Sequence, residues 1–451
     1  MLYRKIETKI EEHIKSDSKK ILLIDGARQV GKTYIIRYVG KKIFKNFIEI
    51  NMVEDSIGDR LFANTKTIED FYLQVSMIAG NKMKAKSDTL IFIDEIQAYP
   101  HLLTLLKFLS QDNKFTYIAS GSLLGVTLSQ TTSIPIGSIR KVRMYPLDFE
   151  EFATANGIQP QTIEYLKKCY DNKETITEAV HQSMLKLFQY YIIVGGMPAV
   201  VQKFVDTKDI GEVLKIQKDI LDLYRQDISK YSDNNKEKIK SIFDLIPAQL
   251  NDRNRRFTLS DIKNSARMLR YETSFNWLAD AGVALHCYNI TEPVLPLELN
   301  LQNNLFKLFL CDTGLLCAAS MGNIQFDILS GDLSVNMGSI LENVFAQELV
   351  SNGFLLRYFN KKNIGEIDFI VQKGKSAVPI EIKSGNDYTK HKALDNLIAK
   401  QSWNINSGIV FCKGNLEIEN GITYYPWYMS MFFKQETLPE HLKVNVNIVN
   451  I

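Results

Sequence analysis

Several short apolar runs in the first third of the chain end abruptly on polar or small residues. Ile21-Leu22-Leu23-Ile24 runs into Asp25-Gly26, and Leu90-Ile91-Phe92-Ile93 runs into Asp94-Glu95. Phe115-Thr116-Tyr117-Ile118-Ala119 leads in the same way into Ser120-Gly121-Ser122. Continuous apolar runs of this length predict strands buried on both faces, as in a parallel sheet. Phe47, Ile48 and Ile50 predict a further strand over Asn46 to Asn51. Ahead of them, Leu2, Ile6, Ile10 and Ile14 recur at helical spacing and predict an amphipathic helix over Met1 to Ile14.

The period changes further along. Residues 155–232 read as mostly helical, with Leu185, Phe188, Ile192 and Val194 leading into a stop at Gly195-Gly196-Met197-Pro198. Helical patterns then fit Lys236 to Leu250, Leu259 to Ala266 and Tyr271 to Ala281, and a β-like run covers Val283 to Ile290. Three short helices and a ribbon suggest a winged helix. In the last third, Gly338 to Leu349 predicts an amphipathic helix with Leu341, Val344, Phe345 and Leu349 on its apolar face. Strands are predicted over Phe354 to Phe359, Gly365 to Val371 and Val378 to Ser384, with Gly408 to Phe411 and Ile422 to Tyr425 extending the sheet.

Composition adds bounds. A chain of 451 residues is long enough for about three domains. With 45% hydrophobic and 23% charged residues, it is ordinary for a soluble globular protein. A net charge of +3 does not by itself announce a nucleic-acid partner. Cys169, Cys287, Cys311, Cys317 and Cys412 are scattered, lack metal-type spacing and read as reduced core thiols. The first twenty residues carry no apolar leader, and no run of eighteen apolar residues occurs. The expectation is a cytoplasmic protein with no membrane span.

The strongest chemistry lies where the first strand ends. Gly26-Ala27-Arg28-Gln29-Val30-Gly31-Lys32-Thr33 has the phosphate-loop spacing G-x-x-x-x-G-K-[ST]. Its amides form an anion nest, Lys32 reaches the β- and γ-phosphates, and Thr33 Oγ ligates Mg²⁺. Asp94 and Glu95 follow a buried strand, at the carboxyl edge where open α/β sheets bind nucleotides. Asp94 is expected to hold Mg²⁺ through water, and Glu95 to polarise the attacking water as general base. Ser120, with Ser122 as alternate, is the candidate for sensing the γ-phosphate.

A second constellation sits in the last third. Strand alternation puts Glu381 and Lys383 on one face. Asp368 can join them across a hairpin, and Glu342 can reach them from the helix. Carboxylates with a lysine form a Mg²⁺ site able to activate water against a phosphodiester. Two stretches are basic: residues 251–270 hold Arg253, Arg255, Arg256, Lys263, Arg267 and Arg270 against two Asp, and residues 361–392 hold seven Lys against four acids. Both suit phosphate contacts. His391, in the second stretch, reads as a surface residue.

The order of Gly26 to Thr33, Phe92-Ile93-Asp94-Glu95-Ile96-Gln97, Ala119-Ser120-Gly121-Ser122 and Met144-Tyr145-Pro146-Leu147-Asp148-Phe149-Glu150-Glu151-Phe152 resembles prokaryotic AAA-superfamily P-loop ATPases with an uncharacterised C-terminal domain. Gly195-Gly196-Met197-Pro198, Asp227-Ile228-Ser229-Lys230-Tyr231 and Cys311-Asp312-Thr313-Gly314-Leu315-Leu316 extend the resemblance over essentially the whole chain. It implies ATP with Mg²⁺, and an arginine given to the γ-phosphate, often by a neighbouring subunit; Arg140 and Arg143 are the candidates. Glu342, Asp368, Glu381 and Lys383 resemble the PD-(D/E)xK fold of restriction endonucleases. The expected fold class is α/β: a P-loop three-layer sandwich over 1–154, a helical lid over 155–232, a winged-helix-like domain over 233–300 and a restriction-endonuclease-like domain over 301–451.

Two functions follow as expectations. The first is an ATPase, assembling with ATP as a homo-oligomer, that repositions a DNA-binding or nuclease-like domain. The second is a nucleotide-gated signalling or scaffold protein with an inert C-terminal fold.

Overall fold

Five strands of the first third lie side by side and all run parallel: β1 (Ile21–Asp25), β2 (Asn46–Asn51), β3 (Thr89–Asp94), β4 (Thr116–Gly121) and β5 (Ile139–Arg143), in the order β2-β3-β4-β1-β5. The computed structural model describes residues 2–16, 18–123, 126–127, 136–231, 235–252, 256–258, 261, 270–320 and 337–436. Every residue of β1 and β3 is buried, as their unbroken apolar runs require. The register pairs Asn51 with Asp94 and Asp25 with Gly121, so both aspartates stand on one edge of the sheet. Helix Lys32–Ile43 leaves the loop after β1 and buries Ile35, Ile36 and Val39 against the sheet. Helix Ile6–Lys15 buries Ile6, Ile10 and His13.

Residues 155–231 are mostly helical as expected, with helices Pro160–Asn172, Glu178–Val194, Pro198–Thr207 and Ile210–Tyr231. The motifs without evident chemistry meet in a buried polar knot. Leu147 N donates to Gly196 O at 2.7 Å, and Gly196 N donates to Asp312 Oδ2 at 2.5 Å. Leu147 O accepts from Tyr191 Oη at 2.8 Å and from Gln347 Nε2 at 3.3 Å. Phe149 N and Tyr191 Oη each donate to Glu348 Oε1 at 2.9 Å. Segments from all three thirds of the chain thus satisfy one another's polar groups where water is excluded.

The middle stretch departs from a free-standing winged helix. Helices Lys236–Asn251 and Glu272–Asp280 form where expected. The helix expected over Leu259 to Ala266 lies, apart from Asp261, outside the described residues, as do Arg253, Arg255, Lys263 and Arg267. The β-like run is β6 (Ala284–Ile290), antiparallel to β7 (Leu301–Leu310). Its other edge, however, pairs in parallel with β8 (Arg357–Lys361). A four-stranded sheet, β7-β6-β8-β9 with β9 over Gly365–Ile367, therefore takes strands from both sides of residue 300.

In the last third, the strand expected over Gly365 to Val371 is two. β9 (Gly365–Ile367) pairs with β8, and β10 (Phe369–Lys373) pairs with β11 (Ser376–Ile382) in a second sheet, β10-β11-β12-β14-β13. Asp368 is the single residue between them. β12 (Gly408–Cys412) and β14 (Ile422–Pro426) extend this sheet as expected, with β13 (Glu417–Glu419) at its edge. Helix Met337–Ser351 is not amphipathic: Glu342, Asn343, Gln347 and Glu348 are buried along with its apolar residues. Each of these four finds a partner from another element, which is what makes burial of a polar face tolerable. All five cysteines are free and buried. Among the described residues no helix is long and apolar enough to cross a membrane.

Candidate functional site

The loop after β1 is shaped by three residues with left-handed backbone: Gly26 (φ +145°), Gln29 (φ +69°) and Gly31 (φ +93°). A Cβ on Gly26 would lie 2.2 Å from Met144 O, so the position accepts only glycine. Helix Lys32–Ile43 starts directly after Gly31, with its positive end at the loop. Lys32 is buried, and its Nζ donates to Gly26 O at 3.0 Å, Ala27 O at 2.9 Å and Ser122 Oγ at 3.1 Å. Burial pulls the lysine down to about 8. Glu95, Asp94 and Asp25 oppose that shift, and Arg28 adds to it.

Two short polar chains run out from this loop. Thr33 Oγ1 donates to Asp94 Oδ2 at 2.8 Å, and Ser120 Oγ donates to Asp94 Oδ1. Burial raises the Asp94 carboxyl, while the Ser120 and Thr33 hydroxyls pull the other way. In the second chain, Ser122 donates from its N to Glu95 Oε2 at 3.1 Å and from its Oγ to Glu95 Oε1 at 3.2 Å. Gln97 Nε2 also donates to Glu95. Glu95 itself has φ +52°, an unfavourable angle for a residue with a side chain. Hydroxyl and carboxylate oxygens on Thr33 and Asp94 make the hard donor set that Mg²⁺ takes.

The long helix Ile210–Tyr231 forms one wall. Tyr224 Oη donates to Arg28 O at 3.0 Å, and Arg28 Nη1 donates to Asp227 Oδ1 at 2.6 Å. The middle stretch forms another. Gly282 (φ +76°) lies so close that a Cβ there would be 3.0 Å from Ala27 N. Arg143 is held by its neighbours: it donates to Asp25 Oδ2 at 3.0 Å and to Ala279 O at 3.2 Å. Arg140 pairs with Leu22 near the start of β1, at the edge opposite the loop, and its side chain is exposed.

Residues 18–153 match the AAA domain family. The nucleotide-loop domain is of the AAA type. Beyond this AAA-type domain, residues 185–325 and 337–429 match two families described as domains of unknown function, DUF8612 and DUF4143. Two uncharacterized proteins of Methanocaldococcus jannaschii are similar. One is 26% identical over 399 residues, covering 85% of this chain and 80% of its own length. The other is 23% identical over 437 residues, covering 94% and 87%. Among solved structures, a Walker-type ATPase of Pyrococcus abyssi is similar with a TM-score of 0.42 and 14% identity, over 71% of this chain and 96% of that one. The Aeropyrum pernix ORC1 protein, solved in complex with DNA, has a TM-score of 0.29 and 12% identity, over 74% and 93%.

Outside the AAA-type domain, residues of the second constellation lie in two ion-paired groups, one of which has an unforeseen member. Lys307 on β7 is fully buried, and its Nζ lies 3.0 Å from Glu342 Oε2 and 2.7 Å from Glu366 Oε1. Lys383 Nζ is 3.2 Å from Glu381 Oε2. Asp368 Oδ2 accepts from Ile382 N at 2.8 Å. Burial pushes the Glu381 carboxyl up to about 8, with the Asp368 charge adding to the shift and Lys383 opposing it. Among the described residues no three His, Cys, Asp or Glu side chains are arranged to hold a metal ion. His391 is not a surface residue: it is buried, with Nδ1 2.9 Å from Asp395 Oδ1 and Nε2 2.6 Å from Tyr424 Oη. Lys307 did leave a signal, as a single charge inside the apolar run Leu305-Phe306-Lys307-Leu308-Phe309-Leu310.

Proposed function

We propose that this protein is an ATP hydrolase whose AAA-type domain controls the placement of its C-terminal third. The observation that carries the reading is that the Thr33–Asp94–Ser120 chain and the Lys32–Ser122–Glu95 chain share one sheet edge. The loop amides of residues 26 to 33 bind phosphate oxygens, and Lys32 exchanges its two backbone carbonyl partners for them. Thr33 and Asp94 would hold Mg²⁺, which when bound would neutralise charge on the phosphates. Glu95, with its carboxylate fixed by Ser122 and Gln97, takes the proton of the attacking water. Ser120 senses the γ-phosphate through Asp94. Arg140 can serve only from a neighbouring chain, in an oligomer assembled with ATP.

The Arg28–Asp227 pair and the Gly282 approach give the loop direct contact with the segments leading to the C-terminal third. Exposed Lys361, Lys362, Lys375, Lys390 and Lys392 there offer a surface for DNA phosphates. The test is Mg²⁺-dependent ATP turnover of wild type and Glu95→Gln. Turnover by wild type that Glu95→Gln lacks is expected; equal turnover removes Glu95 from the reaction.

A second reading, a nucleotide-gated scaffold with an inert C-terminal fold, is favoured by Lys307. Its ammonium is paired with Glu342, one of the carboxylates expected to hold a cation for phosphodiester cleavage. Plasmid nicking with Mg²⁺ separates the two readings. Nicking that Asp368→Ala abolishes supports the nuclease, and no nicking with ATP turnover intact supports the scaffold.

A further inference from the structure

We propose that Arg28 is the arginine of the ATP site, that it acts in cis, and that Asp227 is its positioning residue. This rests on the hydrolase reading above.

A cavity of about 250 Å³ opens beside the loop, and its lining includes Arg28, Glu95, Gln97, Ser122, Asp227 and Lys230. Glu95 and Ser122 mark it as the end where water would attack. Arg28 stands between Gly26 and Gly31, so its backbone cannot leave the phosphates that the loop holds.

The two arginines singled out from the sequence, Arg143 and Arg140, do not compete. Arg143 is committed to Asp25 and to backbone carbonyls of the 279–280 turn. Arg140 is at the opposite edge of the sheet.

Asp227 does what a positioning residue must. It is buried, its Oδ1 accepts from Arg28 Nη1 at 2.6 Å, and the Arg28 side chain keeps 42% of its exposure. A guanidinium has five donors in a planar fork, so one bond to Asp227 orients it and leaves donors for phosphate oxygens. Tyr224 fixes the Arg28 carbonyl from one turn earlier on the same helix. Gln217, also on that helix, donates to Ile193 O at 2.8 Å and Val194 O at 3.0 Å, beside the polar knot. A displacement of the helix would thus move the arginine, which links turnover to the rest of the chain.

The experiment is steady-state turnover of full-length wild type, Arg28→Ala, Arg28→Lys and Asp227→Asn with ATP and Mg²⁺. The expected result is a kcat roughly 10³-fold lower for Arg28→Ala, with KM changed by less than about threefold. Arg28→Lys, which keeps charge but loses the fork, also falls; it serves as the reading should Arg28→Ala fail to fold. Asp227→Asn falls by roughly tenfold, at an unchanged KM. Arg28→Ala should still bind ADP but fail to retain ADP with aluminium fluoride. A kcat for Arg28→Ala within about threefold of wild type overturns the proposal. So does recovery of turnover on mixing Arg28→Ala with Lys32→Ala, because a donor in trans would rescue and one in cis cannot. Absence of turnover in wild type sinks the hydrolase reading itself, and this assignment with it.

Discussion

Phe149 N donates to Glu348 Oε1 at 2.9 Å, so a backbone amide next to the AAA-type sheet is satisfied by a carboxyl 199 positions later. The same oxygen accepts from Tyr191 Oη. Burial pushes the Glu348 carboxyl up to about 8, and the Asp148 charge adds to it.

That carboxyl sets a pH dependence. Unfolded, it titrates near its ordinary value of about 4.3; folded, it holds its proton to about 8. Between those values the folded state binds more protons, so unfolding free energy falls as pH rises. Asp312, raised by burial to about 6, and Glu381, raised to about 8, act in the same direction. Lys32, lowered to about 8, acts oppositely, but only above that pH. Urea unfolding should therefore give a more stable protein at pH 6 than at pH 8. Glu348→Gln, which keeps the acceptor and removes the titration, should flatten the slope by up to ~1.4 kcal/mol per pH unit. An unchanged slope would take Glu348 out of the account.

Lys307 is the buried counter-charge of two acids, the buried Glu342 and the half-buried Glu366. Lys307→Met leaves Glu342 and Glu366 facing each other across an apolar side chain and should cost about 3–5 kcal/mol. Adding Glu342→Gln should return much of that loss. A single variant as stable as wild type in denaturant would show that the acids do not need the ammonium.

Gly282 ties the middle stretch to the phosphate loop. Gly282→Ala places a Cβ 3.0 Å from Ala27 N at a left-handed backbone angle. The expected outcome is a loss of roughly 1–3 kcal/mol in stability and a raised KM for ATP. ATP titrations that superimpose on wild type would sever the link between the two segments.

Lys32→Ala and Glu95→Gln should separate binding from chemistry. The first is expected to abolish retention of ATP. The second should retain ATP with Mg²⁺ while lowering kcat by roughly 10²- to 10⁴-fold. Should Glu95→Gln lose binding as well, the carboxylate would be holding the loop rather than the water.

The sheet edge was legible because its signals are local. A strand of four apolar residues, a glycine turn and a lysine at fixed spacing need no distant partner to be read. Asp94 and Glu95 followed for the same reason. The walls were not legible: Asp227 meets Arg28, and Gly282 meets Ala27, only once helices of the middle stretch fold back. Polar periodicity also misled where burial was compensated. The helix over Gly338 to Leu349 was expected to bury one apolar face, yet Glu342 and Glu348 are inside as well, accompanied by Lys307 and Phe149 N. His391 was misplaced likewise, since Tyr424 of β14 approaches it where helix Lys392–Ile398 begins.

The parallel pairing of β6 with β8 bears on how the chain can be divided. Cutting at residue 300 would strip β8 of its neighbour and leave a row of bare amides and carbonyls on each fragment. Fragments made that way invite association through those edges, so a cut placed after Leu310 would still break the sheet, and one that respects it must fall before Ala284 or after Ile367.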